Sequence, residues 1–232
     1  FAACHLLMKL VIRRYRPSDK DTVLTLFSNG VVEQISPCFY NAMTSPLYLS
    51  ITLGLCAAGY LLGSILGAVV LVGGWVALIY FSCHKLYTHY IREKIRTDMQ
   101  DIPGNFMTRP DDCFFVAEAE VSGRSQVIGT VAIVAKQSGT ERYGELFRMS
   151  VSSSCRRAGL ASRMTQAVID FCRERGLPKV VLQTTSTQAA AVALYEKLGF
   201  LRIFSQPTLS FPYWMIILNY LPLRYVYYFP LM

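Results

Sequence analysis

The spacing of apolar positions changes several times along this chain, and each change predicts an element. Residues 9–16 mix basic and apolar side chains as a short strand, and Pro17-Ser18-Asp19 punctuates the run. Residues 19–29 place Val23, Leu24 and Phe27 at helical intervals. From Gln34 to His84 there is no Asp, Glu, Lys or Arg, and 47–81 is almost wholly apolar or small. A run of roughly 18 or more such residues is a candidate for membrane insertion. Polarity returns in 84–100, where Leu86, Tyr90, Ile91 and Ile95 share one side of a predicted helix and Arg92, Glu93, Lys94 and Arg96 lie elsewhere. Ile102-Pro103-Gly104-Asn105 ends it.

Three strand-like runs follow, 113–119, 126–136 and 145–151. Turns at Ser122-Gly123-Arg124 and Gln137-Ser138-Gly139 separate them, which predicts an antiparallel meander. The period then switches. Ser152, Ser153 and Ser154 offer helix caps. Leu160, Met164, Ala167, Val168, Phe171 and Cys172 make an amphipathic helix that Gly176 and Pro178 stop. Residues 179–184 read as a buried strand. Thr187 caps a second helix over 188–198, ended by Gly199, and 200–205 and 215–220 are the last strand candidates.

Composition sharpens this picture. The chain has 232 residues, 53% hydrophobic and 16% charged, against about 25% charged in an ordinary soluble domain. That excludes a disordered chain, a coiled coil and a collagen. Because the charges avoid one stretch, the excess apolarity belongs to a membrane segment set in a globular domain. A net charge of +8 allows nucleic acid, anionic lipid or a phosphorylated ligand as partner. The Lys and Arg residues are scattered and no segment alternates basic and aromatic residues, so no nucleic acid is expected. The seven cysteines form no CxxC, and His5, His84 and His89 have no metal spacing. Reduced structural thiols and no metal are therefore expected. The chain starts at Phe1 rather than Met, and 1–10 is read as a truncated or mispredicted start; its basic residue follows the apolar run, unlike a signal peptide.

The most informative stretch joins the strand ending at Val151 to the helix opened by Arg156-Arg157-Ala158-Gly159-Leu160-Ala161. A helix N-terminus carries unpaired N–H groups and partial positive charge. Gly159 lets the backbone approach a bulky phosphate, Ala161 keeps the first turn small, and Arg156 and Arg157 add formal charge. A diphosphate suits this geometry. R-x-x-G-x-A in that context resembles the acetyl-CoA-binding motif of the GNAT acetyltransferase superfamily, with Arg156, Gly159 and Ala161 at its defining positions. Ala191, Leu194, Tyr195, Gly199 and Phe200 match the A-x-x-L-Y-x-x-x-G-F block of the same family, about 35 residues downstream. Residues 146–153, 95–102 and 113–118, with the apolar insert upstream, look like the camello branch, relatives of N-acetyltransferase 8. The resemblance covers roughly 10–205, and the final 27 residues match it less clearly.

What the resemblance implies can be written residue by residue. The fold is mixed α/β (α+β), a central, mostly antiparallel sheet flanked by helices, interrupted by a hydrophobic membrane hairpin. The backbone of Met149 and Val151 receives the acetyl carbonyl and the pantetheine arm, and 156–161 hold the diphosphate. Tyr195 is the general acid for the departing thiolate. Glu145, eleven residues before Arg156, is the candidate general base, with Glu118 on the neighbouring strand as runner-up. The co-substrate is acetyl-CoA, and the acceptor a small-molecule amine, such as a cysteine S-conjugate, or a protein lysine. The competing implication is a catalytically inactive CoA-binding protein of secretory membranes acting in cell adhesion or development.

The insert has its own arithmetic. Residues 47–81 as one helix would be about 52 Å long, too long for a straight crossing of a core about 30 Å thick. Two short crossings or a re-entrant hairpin fit, and Gly59, Gly63 and Gly67 offer a turn or close helix packing. The strand at 9–16 precedes the insert and its partners follow it, so an even number of crossings keeps the domain whole. Residues 1–45 and 85–109 each hold five basic residues, which predicts that both ends lie on the cytoplasmic side. The expected divisions are 1–45, the first strand and helix of the acetyltransferase domain; 46–83, the membrane segment in contact with lipid; and 84–232, the rest of the domain. The expected location is the endoplasmic reticulum or Golgi membrane.

Overall fold

Strands β1 (Val11–Arg14), β2 (Cys113–Val121), β3 (Arg124–Ser138), β4 (Glu141–Val151), β5 (Lys179–Thr185), β6 (Leu201–Pro207) and β7 (Leu223–Pro230) pair into a single sheet. They are seen in a computed structural model that describes residues 10–61, 65–121, 123–207 and 223–231. The strand order is β1-β2-β3-β4-β5-β7-β6. Neighbours are antiparallel except β4 and β5, which run parallel. The expected meander is β2-β3-β4, and the period switch after Val151 is the crossover that makes the one parallel pair. The strand candidate at 215–220 lies outside the described residues. β7 was not expected: its aromatic run Tyr225, Tyr227, Tyr228 and Phe229 inserts between β5 and β6.

Helices cover both faces because both faces of the central strands are apolar. On one face α6 (Leu160–Glu174) buries Leu160, Met164, Val168 and Cys172 against Val131, Ile133, Leu146, Val180 and Leu182. Next to it, α7 (Ala189–Lys197) brings Tyr195 onto Phe200 and Tyr227. On the other face α1 (Lys20–Val32) packs Val23 and Phe27 with Phe114, Val116 and Ala132. After α1 come α2 (Ile35–Met43), α3 (Pro46–Leu61) and α4 (Ile65–Arg96), then a short α5 (Ile102–Phe106).

Several expectations are corrected locally. Residues 84–100 are not a separate helix: α4 runs unbroken from Ile65 to Arg96, because no proline interrupts it and its polar half continues the same helical period, and 97–100 form a turn. The segment 102–105, expected as a stop, starts α5 instead, since Asp101 accepts the Gly104 N–H at 3.0 Å and caps that turn. Ser152–Ser154 do not cap α6. Residues Ser153–Cys155 close a 3₁₀ turn, and the N-cap of α6 is Gly159. Thr187 gives way to Gln188 as N-cap of α7.

The uncharged stretch forms a helical hairpin that leaves the sheet. A Cβ on Gly59 would lie 2.3 Å from the Ala68 Cα, so only a glycine lets α3 and α4 approach so closely. Of the glycines expected to permit that packing, Gly63 lies outside the described residues. α4 has mean hydropathy 2.2 in its most apolar 18 residues, and only 11% of that window is buried. A core helix would be mostly buried; this one shows Leu66, Val69, Val70 and Phe81 outward, as α3 shows Leu53 and Leu61. The base of the hairpin is a separate small core of Ile35, Cys38, Ala42, Tyr48, Ile79 and Cys83.

Candidate functional site

The site grows out of a defect in β4. Thr130 pairs with Ser150, but Ala132 pairs with Phe147, so β4 carries one residue more than β3 between these points. The extra residue makes a β-bulge at Arg148 and Met149, and Arg148 takes a left-handed φ of 52°. A bulge bends its strand. β4 pairs with β5 at Gly144, Glu145 and Leu146 alone, and beyond Leu146 no ladder pair joins them among the described residues. The two strands part there. The backbone of Met149–Val151, expected to receive an acyl group, lines that opening with β3 on its other side, while the side chains of Met149 and Val151 pack on the core.

At the end of β4 the Ser152 N–H still reaches the Ile128 carbonyl, 2.8 Å away. The chain then folds back through two left-handed residues, Arg157 at φ 63° and Gly159 at φ 76°. The first helical bond of α6 runs from Arg163 N–H to the Gly159 carbonyl, 3.1 Å. The N–H groups of Leu160, Ala161 and Ser162 therefore stand at the open end of the helix, where the dipole is positive. Nothing lies within 4 Å of a Cβ built on Gly159. Together these features fit a bulky anion: empty space, aimed donors and a concave backbone. Leu160 contributes only backbone, since its side chain is in the core. Ala158 and Ala161 are half-buried and small. Arg157 is exposed at the rim. Arg156 is otherwise engaged, donating to the Val151 carbonyl at 3.3 Å and pairing with Glu33 at the end of α1.

Glu145 lies where β4 and β5 still pair, one residue before the last ladder pair, and Tyr195 packs on the sheet from the α6 side. Tyr195 shares the α6-side core with Leu146, the residue next to Glu145, and alternation turns Glu145 the other way. Tyr195 is 4% exposed. Burial pushes its phenol well above the usual range, so the side chain is a neutral donor at any working pH. Glu145 is 5% exposed. Lys136 Nζ sits 2.8 Å from its carboxylate, and Gln183 Nε2 donates to Oε1 at 3.0 Å. Glu118 is elsewhere, on β2, with β3 between it and β4. A hydrogen bond from Ser125 and an ion pair with Arg13 hold its carboxyl below the usual range, which makes it a weak base. Sequence reasoning missed Gln183 and Arg148. The only signal for Arg148 was a charged residue interrupting an otherwise apolar strand end. Among the described residues no three His, Cys, Asp or Glu side chains cluster as metal ligands.

Comparison with known proteins places the chain in a family. Residues 78–200 match the family described as acetyltransferase (GNAT) family. Human N-acetyltransferase 8B is 31% identical over 94% of this chain and 95% of its own. The Xenopus laevis protein named "Probable N-acetyltransferase camello" is 34% identical over 82% of this chain and 84% of its own. Among solved structures, yncA from Salmonella typhimurium, determined with its cofactor acetyl-CoA, superposes with a TM-score of 0.52 at 14% identity, covering 97% of this chain and 95% of that one.

Proposed function

The chain belongs to the GNAT acetyltransferase family, and from that premise we propose that it is a membrane-anchored enzyme acetylating a primary amine of an amino-acid-type molecule, such as a cysteine S-conjugate, or of a protein lysine. N-acetyl transfer of the GNAT type, with acetyl-CoA as co-substrate, is the activity of the family. The observation that carries the assignment of residues is the opening between β4 and β5, which ends beside the uncovered N-terminus of α6.

Acetyl-CoA supplies an activated acyl group, and the residues of the chain do the rest. The N–H groups at the start of α6, with Arg157, bind the diphosphate. The backbone of Met149–Val151 polarises the acyl carbonyl from the cleft side of β4. Transfer forms a C–N bond and breaks a C–S bond. The leaving thiolate takes the Tyr195 proton, and the proton lost by the amine leaves through Glu145 or a water beside it. Lys136 and Gln183 orient the Glu145 carboxylate.

The apolar hairpin supports the anchor. α3, with 16 residues, is about 24 Å long, short of the roughly 30 Å hydrocarbon core. It returns along α4, so both ends of the insert rejoin one sheet. That favours a hairpin entering the membrane from the cytosolic side, where acetyl-CoA is made, and the camello resemblance points to the endoplasmic reticulum or Golgi.

The full chain in lipid nanodiscs, given acetyl-CoA with a cysteine S-conjugate or a lysine peptide, is expected to release CoA and yield the acetylated amine. Gly159→Trp puts a bulky side chain above the helix end, at a left-handed φ that strains any residue with a Cβ; it should abolish both acetyl-CoA binding and transfer, with circular dichroism checking that the protein is folded. Undiminished binding by that variant would falsify the diphosphate assignment.

A further inference from the structure

Arg148 has no part in the transfer just described, yet it occupies the bulge on which the cleft depends. Its φ of 52° is one that residues with a Cβ rarely adopt. The Thr130 hydroxyl donates to its carbonyl at 3.0 Å, which fixes the bulge from the β3 side. On the other side its guanidinium, 12% exposed, is held by three groups. Nε donates to the Asp98 carboxylate at 3.1 Å, and Nη2 reaches the same oxygen. Nη1 donates to the Tyr90 hydroxyl at 3.0 Å. The ring of Phe27 lies 5.4 Å beneath the guanidinium. Tyr90 is within α4, and Asp98 follows its last residue by two. The side chain that carries the strain is therefore gripped by the helix that forms the apolar hairpin and by the turn that directly follows it.

A buried arginine usually closes an ion pair in the core and does nothing else. Two features separate Arg148 from that case. Its backbone is left-handed, so the guanidinium anchor opposes a relaxation the strand would otherwise make. It also directly precedes Met149, the first residue whose backbone lines the cleft. We propose that Arg148 is a positioning residue: pinned by Asp98 and Tyr90, it holds β4 in its bulged form, aims the backbone donors of Met149–Val151 at the acyl carbonyl, and makes that aim depend on the seat of α4. The proposal rests on the cleft assigned above and adds a mechanical link from the hairpin to the chemistry.

The test reads carbonyl polarisation, which needs no knowledge of the acceptor, and turnover with an amine of the proposed classes that the parent protein acetylates. Infrared difference spectra of acetyl-CoA labelled with ¹³C at the acyl carbonyl are recorded on the full chain in nanodiscs, with binding stoichiometry measured by calorimetry. In the parent protein the bound carbonyl band is expected below its position in free acetyl-CoA. Arg148→Gly, which tolerates the same φ but lacks the anchor, and Asp98→Asn should bind acetyl-CoA at similar stoichiometry with the band moved back toward the free position. Turnover per binding site should fall roughly ten-fold or more, as expected when a donor is misaimed. Arg148→Lys should not rescue, since an ammonium cannot span Asp98 and Tyr90 as a fork does. Tyr90→Phe removes one contact without an unpaired charge and should give a smaller shift in the same direction, which keeps the test open if Asp98→Asn folds poorly. Variants that keep the parent band and turn over within two-fold per binding site overturn the proposal. A parent protein that binds acetyl-CoA with an unshifted band overturns the cleft assignment beneath it, a distinct outcome.

Discussion

Tyr195 shows how surroundings suit a residue to the chemical role proposed for it. A phenol in water titrates near 10. Packed on Phe200 and Tyr227, with ring centroids 5.6 and 6.4 Å away, it loses the solvation its anion would need. Its folded pKa is raised, so the proton stays on through the alkaline range and is available to a thiolate formed beside it. Tyr195→Phe is expected to lower kcat roughly ten-fold or more with the KM for acetyl-CoA little changed, because the phenyl ring still fills the core. The pH–rate profile of the parent enzyme should show no alkaline decline below about pH 10 that vanishes in the variant. Steady-state kinetics across pH decide both points, and unchanged kcat discards the role. Motif spacing made Tyr195 legible beforehand. Arg148 was not, because its partners Asp98 and Tyr90 lie 50 and 58 residues away and no local pattern announces them.

Among the elements, α4 joins two environments that the sequence presented as separate. Its first half is apolar on every side, its second half amphipathic, and no breaker divides them. A rigid rod about 48 Å long thus runs from the hairpin to the turn that holds Asp98. On α3, Cys56 is exposed, while the other described cysteines are buried. In a bilayer that exposure is to lipid. With Cys4 replaced by serine, a charged maleimide is expected to leave the protein unmodified in intact nanodiscs and to modify it after denaturation in SDS. Rapid labelling in the intact disc would show that the hairpin sits in water. Two of the buried thiols have a second protection: burial pushes Cys113 up to about 11 and Cys172 up to about 12, far from the thiolate needed for reaction.

For the whole molecule the difficulty is continuity, because the apolar hairpin falls between β1 and the strands it must join. Arg13 in β1 bridges that gap. It makes a two-pronged contact with Asp19, at 2.7 and 3.0 Å, and pairs with Glu118 on β2. Arg13 is the main reason the Asp19 carboxyl is held below the usual range. A depressed carboxyl stabilises the fold above its unfolded pKa, near 4, and the contribution disappears as pH falls through the lower folded value. Asp19→Asn should therefore cost about 2 kcal/mol at pH 7, seen as a lower Tm in nanodiscs, and the gap from the parent protein should close as the pH falls below about 4. A gap that stays constant to pH 3 would contradict the linkage.

Local regularities were legible because they are written in neighbouring residues. Helical and strand periods located α1, α6 and the β2-β3-β4 meander, the uncharged run announced a hairpin, and two short motifs pointed to the family. These follow from bonding and burial within about a dozen residues, so the sequence by itself determined them. The tertiary structure alone decided where β4 bulges, how far it parts from β5, that β7 enters between β5 and β6, and which acid keeps company with which base. Glu118 and Glu145 are both strand carboxylates, but Glu145 lies on β4 itself, in the ladder that ends at Leu146, whereas β3 separates Glu118 from β4. Those outcomes depend on register and on contacts between residues far apart in the chain, and such contacts have an energy only once the sheet has formed.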